Sequence, residues 1–297
     1  MRRFVRYQNG NYTVTIDTQN GTKIRENDLD FFRADFPESM DIKICNKCDM
    51  GCPMCHENST PDGKCGDIMS ESFIDKLHPY TELAIGGGNP LEHPSLVPFL
   101  EKCQRLQLIP SMTVNQVHFE KYKNFLKALV DKKLIYGLGI SLMNVTDEFI
   151  ETVKQFPNAV IHVINGIVTP TDLEYLADQG LKILILGYKQ FRRGKDLYEK
   201  QGGVIESIKT SLYKSLPQII NEGWFEVVSF DNLAIKQLDA QRLMSEEDWD
   251  QFFMGDDGSA TMYVDMVNRE FAKSSTSIER YPIEDDIITM FEKIRTD

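Results

Sequence analysis

Residues 41–57 read DIKICNKCDMGCPMCHE, and this stretch decides how the rest of the chain is interpreted. Its first four residues form a short, apolar-rich run that is typical of a β-strand. Four cysteines follow within 11 positions: Cys45, Cys48, Cys52 and Cys55. A cysteine-rich loop directly after a strand occupies the place where barrel proteins of the α/β class form their active sites.

The strand at 41–44 is the first of six predicted strands that amphipathic segments separate. The other five strands are predicted at 82–85, 111–114, 136–142, 160–164 and 182–186. The intervening helices are predicted at 70–77, 94–106, 119–132, 147–156 and 171–179. Strands that alternate with helices favour a parallel sheet, and six such units predict an α/β fold with a partial (β/α)6 TIM-like barrel.

The segments on either side of this barrel have a different pattern. Residues 1–39 predict a β-meander with strands at 4–7, 12–16 and 22–24, because Asn-Gly pairs stand at its turns. Beyond Gly202 a helix is predicted at 204–221, strands at 225–230 and 262–267, and a last helix at 285–294. The predicted domains are therefore a meander at 1–39, a barrel at 40–202 and an α+β extension at 203–297 that caps the barrel.

The 297-residue chain carries 33 basic and 45 acidic side chains, which gives a net charge of -12. This charge repels a nucleic-acid backbone and favours a peptide or another small molecule as substrate. No apolar stretch approaches the roughly 18 residues of a membrane span, and the N-terminus lacks the apolar region of a signal peptide. These features predict a cytoplasmic protein that makes no membrane contact.

The cysteine spacing allows several metal sites. Cys48, Cys52 and Cys55 follow C-x3-C-x2-C, which lets one loop present three thiolates to an iron-sulfur cubane and leaves the fourth iron without a protein ligand. With Cys45 included, the four cysteines have the donor set of a structural zinc site or of a fully ligated [4Fe-4S] cluster for electron transfer. A third alternative is a group of unrelated buried thiols.

These residues, together with the βα repeat, resemble the radical S-adenosylmethionine superfamily over roughly residues 40–202. The resemblance implies that Cys48, Cys52 and Cys55 hold a [4Fe-4S] cluster and that S-adenosylmethionine binds its free iron through amino and carboxylate groups. It also implies that Met54, at a position that is commonly aromatic, contacts the adenine. Cys45 is expected to pack as a small hydrophobic residue and not to bind the cluster.

The second predicted strand ends in a glycine run, Gly86-Gly87-Gly88, followed by Asn89. Glycines let a backbone approach a ligand closely, although an ordinary strand-to-helix turn has the same composition. By the family resemblance, this run corresponds to the motif that holds the methionine amino group, with Asn89 where Glu is frequent. The later strand ends imply further S-adenosylmethionine contacts at Asn115, Ser141, Asn165 and Gly187.

Residues 189–195 form the one dense basic segment of this acidic chain. The segment is interpreted either as a solvated face or as a group of cations that binds the carboxylate of methionine or of the substrate. His56, next to Cys55, is expected to contact the residues that hold the cluster and not the cluster itself.

The resemblance implies that the cluster cleaves S-adenosylmethionine reductively and that the resulting 5'-deoxyadenosyl radical takes a hydrogen atom from a substrate. A peptide or amino acid is the preferred substrate, a nucleotide or RNA the second, and an electron donor such as flavodoxin or ferredoxin is required.

Residues 255–265 are weakly similar to the SPASM or twitch extensions of peptide-modifying members. The last cysteine is Cys103, so the extension has no thiols for an auxiliary cluster. An electron-transfer or structural metal protein that uses all four cysteines is the alternative.

Overall fold

The computed structural model describes residues 3–29 and 31–296, which contain two β-sheets. The smaller sheet is the predicted meander, with three antiparallel strands in the order β1-β2-β3. These strands are β1 (Phe4–Asn9), β2 (Tyr12–Asp17) and β3 (Lys23–Glu26). Gly10 adopts a φ of 57° in the first turn, in agreement with the Asn-Gly signal.

The larger sheet has ten strands, and eight of them run parallel and next to one another. Its order is β10-β9-β8-β7-β6-β5-β4-β11-β12-β13. The strands are β4 (Ser39–Cys45), β5 (Glu82–Gly87), β6 (Ile109–Asn115), β7 (Gly137–Ser141), β8 (Ala159–Ile164), β9 (Lys182–Leu186), β10 (Val227–Phe230), β11 (Thr261–Asp265), β12 (Glu270–Ala272) and β13 (Tyr281–Pro282). All six predicted barrel strands are observed, and the α/β class is confirmed. The sheet is open, because its edge strands β10 and β13 are not paired with each other in the described chain.

Eight α-helices connect or cover the strands among the described residues. They are α1 (Leu96–Arg105), α2 (Gln116–Asp131), α3 (Asp147–Val153), α4 (Pro170–Leu176), α5 (Arg193–Asn221), α6 (Asn232–Leu238), α7 (Glu246–Phe252) and α8 (Ile287–Ile294). None of these helices is both long enough and apolar enough to cross a bilayer.

Two of the predicted helices differ from the observed ones. The segment predicted at 70–77 forms a short 3-10 helix, Ser72–Lys76, because the Glu71 side chain does not cap it and Pro79 disfavours helical geometry just beyond it. Helix α5 begins well before the predicted residue 204, since it continues through Gly202 and Gly203 with only a local kink at Gln201.

The chain after residue 202 contributes to the larger sheet on both sides of the predicted strands. Strand β10 pairs parallel with β9, and β11 pairs parallel with β4. Helix α5 itself crosses residue 202. The region after residue 202 therefore supplies strands to both sides of the sheet. The domain boundaries stay a prediction.

Strand β4 shows how the sequence separates core from site. Met40, Ile42 and Ile44 are buried in the main hydrophobic core, whereas Asp41 and Lys43 alternate with them and line a cavity. Because neighbouring parallel strands end at the same edge of a sheet, the loops after them meet around this cavity.

Candidate functional site

The cysteine loop, residues 46–64, leaves β4 and forms one side of a cavity of about 520 Å³. Side chains or backbone from all six strands β4 to β9 line it, so this face of the sheet curves around it. Ten of the twelve residues predicted to bind the cluster or S-adenosylmethionine are among the lining residues: Cys48, Cys52, Met54, Cys55, Gly86, Gly87, Gly88, Asn115, Ser141 and Gly187. A cavity of this size is typical of small-molecule sites.

The three thiols of the loop are close enough to affect one another's ionisation. Burial raises the pKa of the Cys48 and Cys52 thiols, and the neighbouring thiols raise these pKa values further. The Arg193 guanidinium acts in the opposite direction on both. These raised pKa values keep the thiols protonated. A metal centre binds such sulfur atoms as thiolates and offsets their mutual repulsion, so this donor set fits an iron-sulfur cluster.

Cys45 is separated from these three thiols. It is fully buried, forms a disulfide with Cys65 and does not line the cavity. The two residues face each other across an antiparallel bridge, with Cα atoms 3.9 Å apart. The expectation that Cys45 packs away from the cluster agrees with this placement, but the sequence did not indicate its pairing with Cys65.

Asp49 and His118 form a contact beside Cys48. The Nε2 atom of buried His118 lies 2.7 Å from Oδ1 of Asp49, and this pair links α2 to the cysteine loop. Together with Cys48, the two side chains have metal-ligating atoms within 4.8 Å of one another. A zinc ion at this group would compete with a cluster for Cys48.

The glycine run after β5 packs directly against the cysteine loop. A Cβ atom added at Gly87 would lie 2.4 Å from the carbonyl oxygen of Cys45, and one at Gly88 would lie 2.5 Å from that of Lys47. At Gly86 an added Cβ would meet nothing within 4 Å. Gly87 and Gly88 are therefore required by the close approach of two backbones, and Gly86 leaves a cradle open to the cavity.

Asn89 and Asn165 lie outside the cavity lining. Asn89 is buried and its Oδ1 accepts a hydrogen bond from the backbone N–H of Leu91, at 3.2 Å. Asn165 is fully buried and donates from Nδ2 to Gln237, while its Oδ1 has no hydrogen-bond partner among the described residues. The proposed contact of these two residues with S-adenosylmethionine stays a prediction, and each already has a structural role.

Glu57, two residues beyond Cys55, fixes the cysteine loop to the rest of the site. Its carboxylate lies 2.9 Å from Lys43 Nζ, accepts a hydrogen bond from the Tyr263 hydroxyl at 3.1 Å and lies 3.4 Å from His56 Nε2. Burial opposes ionisation, but the contacts with His56 and Lys43 outweigh it and lower the pKa of Glu57. Lys43 also pairs with buried Asp265, at 3.1 Å.

This network was missed in the sequence analysis, although one signal was present. Lys43 is a charged residue inside a predicted strand, between two isoleucines. A lysine in such a strand is expected to be paired when it is buried. The partners themselves, Glu57 and Asp265, are 14 and 222 positions away in the chain and carry no local signal.

The basic segment directs two cations into the site. Lys189 and Arg193 line the cavity, and Arg193 donates to the carbonyl oxygen of Ser59 at 2.8 Å. The Nε atom of Arg193 is buried without a hydrogen-bond partner in the described chain. Lys189 donates to Ser275 Oγ at 3.0 Å. At these two positions the segment is not a solvated face.

Two further titratable groups face the cavity without a hydrogen bond or ion pair to any described residue: Asp41 on β4 and His162 on β8. The protein that surrounds the cavity desolvates both groups. It raises the pKa of Asp41, whose side chain is open to the cavity, to about 6 and lowers the pKa of His162 to about 4. His162 is therefore neutral at physiological pH, and its ring packs against Gly139, where a side chain would overlap it.

Comparison with known proteins identifies the fold. No family model matches the chain, and a search of curated proteins found no match. Among solved structures, Streptococcus suis SuiB bound to the precursor peptide SuiA is similar, with a TM-score of 0.63 and 11% identity over 97% of this chain and 87% of that chain. SuiB bound to S-adenosylmethionine is similar with a TM-score of 0.62 and 10% identity, over 98% of this chain and 87% of the other. This protein thus has the fold of SuiB.

Proposed function

We propose that this protein is a radical S-adenosylmethionine enzyme that acts on a peptide. The observation that carries the proposal is the set of three cavity-facing thiols in a C-x3-C-x2-C loop, with the fourth nearby cysteine paired elsewhere. Three thiolates leave one iron of a cubane open for S-adenosylmethionine. The fold of SuiB, which binds S-adenosylmethionine and a precursor peptide, supports both ligands.

In this proposal, Cys48, Cys52 and Cys55 hold a [4Fe-4S] cluster. With S-adenosylmethionine, this cluster supplies a one-electron cleavage that yields a 5'-deoxyadenosyl radical for hydrogen-atom abstraction. Gly86 leaves open space where a side chain would stand, and Arg193 provides a buried, unpartnered Nε donor near enough to Cys48 and Cys52 to lower their pKa values. Carboxylates bind such guanidinium donors strongly, so Arg193 is assigned to the methionine carboxylate.

The surrounding residues position these groups and limit the access of water. Strands β4 to β9 and their helices are proposed to form a partial (β/α)6 barrel, with the chain after residue 202 closing its open side. Glu57 connects the cysteine loop to β4 and β11 through Lys43 and Tyr263. A site held by buried ion pairs keeps its geometry when the ligand binds. A flavodoxin or ferredoxin in the cytoplasm is the proposed electron donor.

The alternative of an electron-transfer or structural metal protein requires Cys45 as a fourth ligand. The pairing of Cys45 with Cys65 does not favour it. A nucleotide or RNA substrate is less favoured than a peptide, because the net charge of -12 repels phosphates.

The experiment that tests the proposal is anaerobic reconstitution followed by reduction with dithionite in the presence of S-adenosylmethionine. We expect one [4Fe-4S] cluster per chain and slow release of 5'-deoxyadenosine and methionine without a peptide substrate. Stoichiometric zinc in protein isolated without oxygen, or a reduced cluster that leaves S-adenosylmethionine intact, would contradict the proposal.

A further inference from the structure

The carboxylates that line the cavity differ in whether the protein already uses them. Glu57 is paired with Lys43, and Asp172 accepts hydrogen bonds from Thr169. Asp231 accepts hydrogen bonds from two backbone N–H groups, those of Gly187 and Ala234. Asp41 has no hydrogen-bond or ion-pair partner among the described residues, so its charge is available to a ligand.

The position of Asp41 in the sheet determines what it can contact. Strand β4 is paired with β5 on one side and β11 on the other, so both of its backbone edges are occupied. Its neighbours Met40 and Ile42 are buried in the hydrophobic core. The Asp41 side chain is exposed, and because it lines the cavity, that exposure is toward the cavity.

The charges around Asp41 are mostly acidic. Asp257, Asp231 and Glu57 add negative potential at its carboxylate, and Lys189 is the cation that opposes them. Lys189 donates its own hydrogen bond to Ser275 and lies beyond ion-pair distance of Asp41. A group of positive charge is the ligand that such a site favours, since it relieves the repulsion as well as pairing with the carboxylate.

We propose that Asp41 binds a cationic side chain of the peptide substrate, the ammonium of lysine or the guanidinium of arginine. The inference rests on the proposed function, because it assumes that a peptide enters the cavity beside the cysteine loop. Asp41 thereby selects which residue of the peptide enters the barrel.

The test compares charged and neutral probes on the full-length, cluster-reconstituted protein. The probes are Nα-acetyl-lysine amide, Nα-acetyl-arginine amide and Nα-acetyl-norleucine amide, whose dissociation constants are measured by ligand-observed NMR at pH 8. Norleucine has an unbranched aliphatic side chain like that of lysine but no ammonium group. We expect at least one cationic probe to bind about tenfold more tightly than norleucine, because a charge-assisted hydrogen bond contributes about that factor.

Two variants identify the residue that is responsible. Asp41→Asn keeps the shape of the side chain and is expected to remove the preference, whereas Asp250→Asn removes the same charge from an exposed position outside the lining and is expected to keep it. Equal binding of all three probes to the unaltered protein would overturn the inference without any variant. A preference that survives in Asp41→Asn would overturn it as well.

The NMR measurement needs no cleavage of S-adenosylmethionine. Absence of cleavage by the unaltered protein would therefore count against the proposed function, whereas absence of a cation preference would count against the role of Asp41 alone.

Discussion

The two ends of the cavity differ in charge. The end formed by the cysteine loop has Arg193 beside the thiols and Lys189 next to His56. The wall formed by β4 presents Asp41, which has no ion-pair partner in the described chain; Asp257, Asp231 and Glu57 add negative potential there and Lys189 opposes them. In the proposed function, the cationic end would hold the anionic cluster and the methionine carboxylate, and the acidic wall would bind a cationic side chain of the peptide.

The largest effect is expected at the thiols themselves. Cys48→Ala, Cys52→Ala and Cys55→Ala should each lose the cluster, because two remaining thiolates cannot hold a cubane with an exchangeable iron. Cys45→Ala should keep about four irons per chain, since Cys45 is bonded to Cys65 behind the loop. Iron and sulfide analysis of the four variants measures this. Loss of the cluster in Cys45→Ala with retention in one of the others would mean that the ligands are assigned incorrectly.

A smaller effect, on the free energy of unfolding, is expected at Glu57, which connects the cysteine loop to Lys43 on β4. Glu57→Gln removes a buried charge that pairs with Lys43 and should lower the free energy of unfolding by about 3 kcal/mol, because the lysine keeps a weaker set of partners. Glu26→Gln breaks an exposed ion pair with Arg6 and should change it by less than about 0.5 kcal/mol. Urea denaturation of both variants compares them. Equal destabilisation would show that the Glu57 network does not anchor the loop.

The cationic end can be altered on its own at Arg193. Arg193→Ala should raise the dissociation constant for S-adenosylmethionine about tenfold, the factor expected for a lost charge-assisted contact, with the cluster retained. Arg193→Lys should restore part of the affinity, and Arg6→Ala, on the exposed N-terminal sheet, should change nothing. Titration of S-adenosylmethionine against the reduced cluster gives the three values. Unchanged affinity in Arg193→Ala would remove Arg193 from the carboxylate site.

The smallest effect is expected on the acidic wall. The pKa of Asp41 is raised to about 6 in the folded protein, so folding disfavours its charge at pH values above this pKa. Asp41→Asn should therefore stabilise the protein at pH 8, by about 1 kcal/mol because the open side of the carboxylate stays hydrated. The gain should shrink as the pH falls through 6 toward 4. Thermal unfolding of Asp41→Asn and the unaltered protein at pH 8 and pH 5 measures this gain. A gain that does not change with pH would contradict the raised pKa of Asp41.

The sequence predicted the strands better than the contacts between distant parts of the chain. All six strands predicted after residue 40 follow from local apolar runs, and the cysteine loop follows from its spacing. The early start of α5 was missed because Gly202 and Gly203 suggest a break, whereas packing along the rest of this long helix tolerates them.

The site was predictable where one short motif carries the chemistry and unpredictable where the fold brings separate residues together. The thiols and the glycine run belong to two consecutive strand ends, and both line the cavity. The pairing of Lys43 with Asp265 depends on β11 lying next to β4, which no local pattern encodes. Asp41 could be recognised as a carboxylate without a partner only after the other cavity carboxylates, Glu57, Asp172 and Asp231, were seen to have partners.

The proposed function requires a [4Fe-4S] cluster with one open iron that S-adenosylmethionine binds. It is tested most directly by electron paramagnetic resonance of the dithionite-reduced protein, recorded with and without S-adenosylmethionine. We predict that the signal of the reduced [4Fe-4S] cluster changes its g-values when S-adenosylmethionine is added. A signal that remains identical at saturating S-adenosylmethionine would show that all four irons are already ligated, and it would contradict the account.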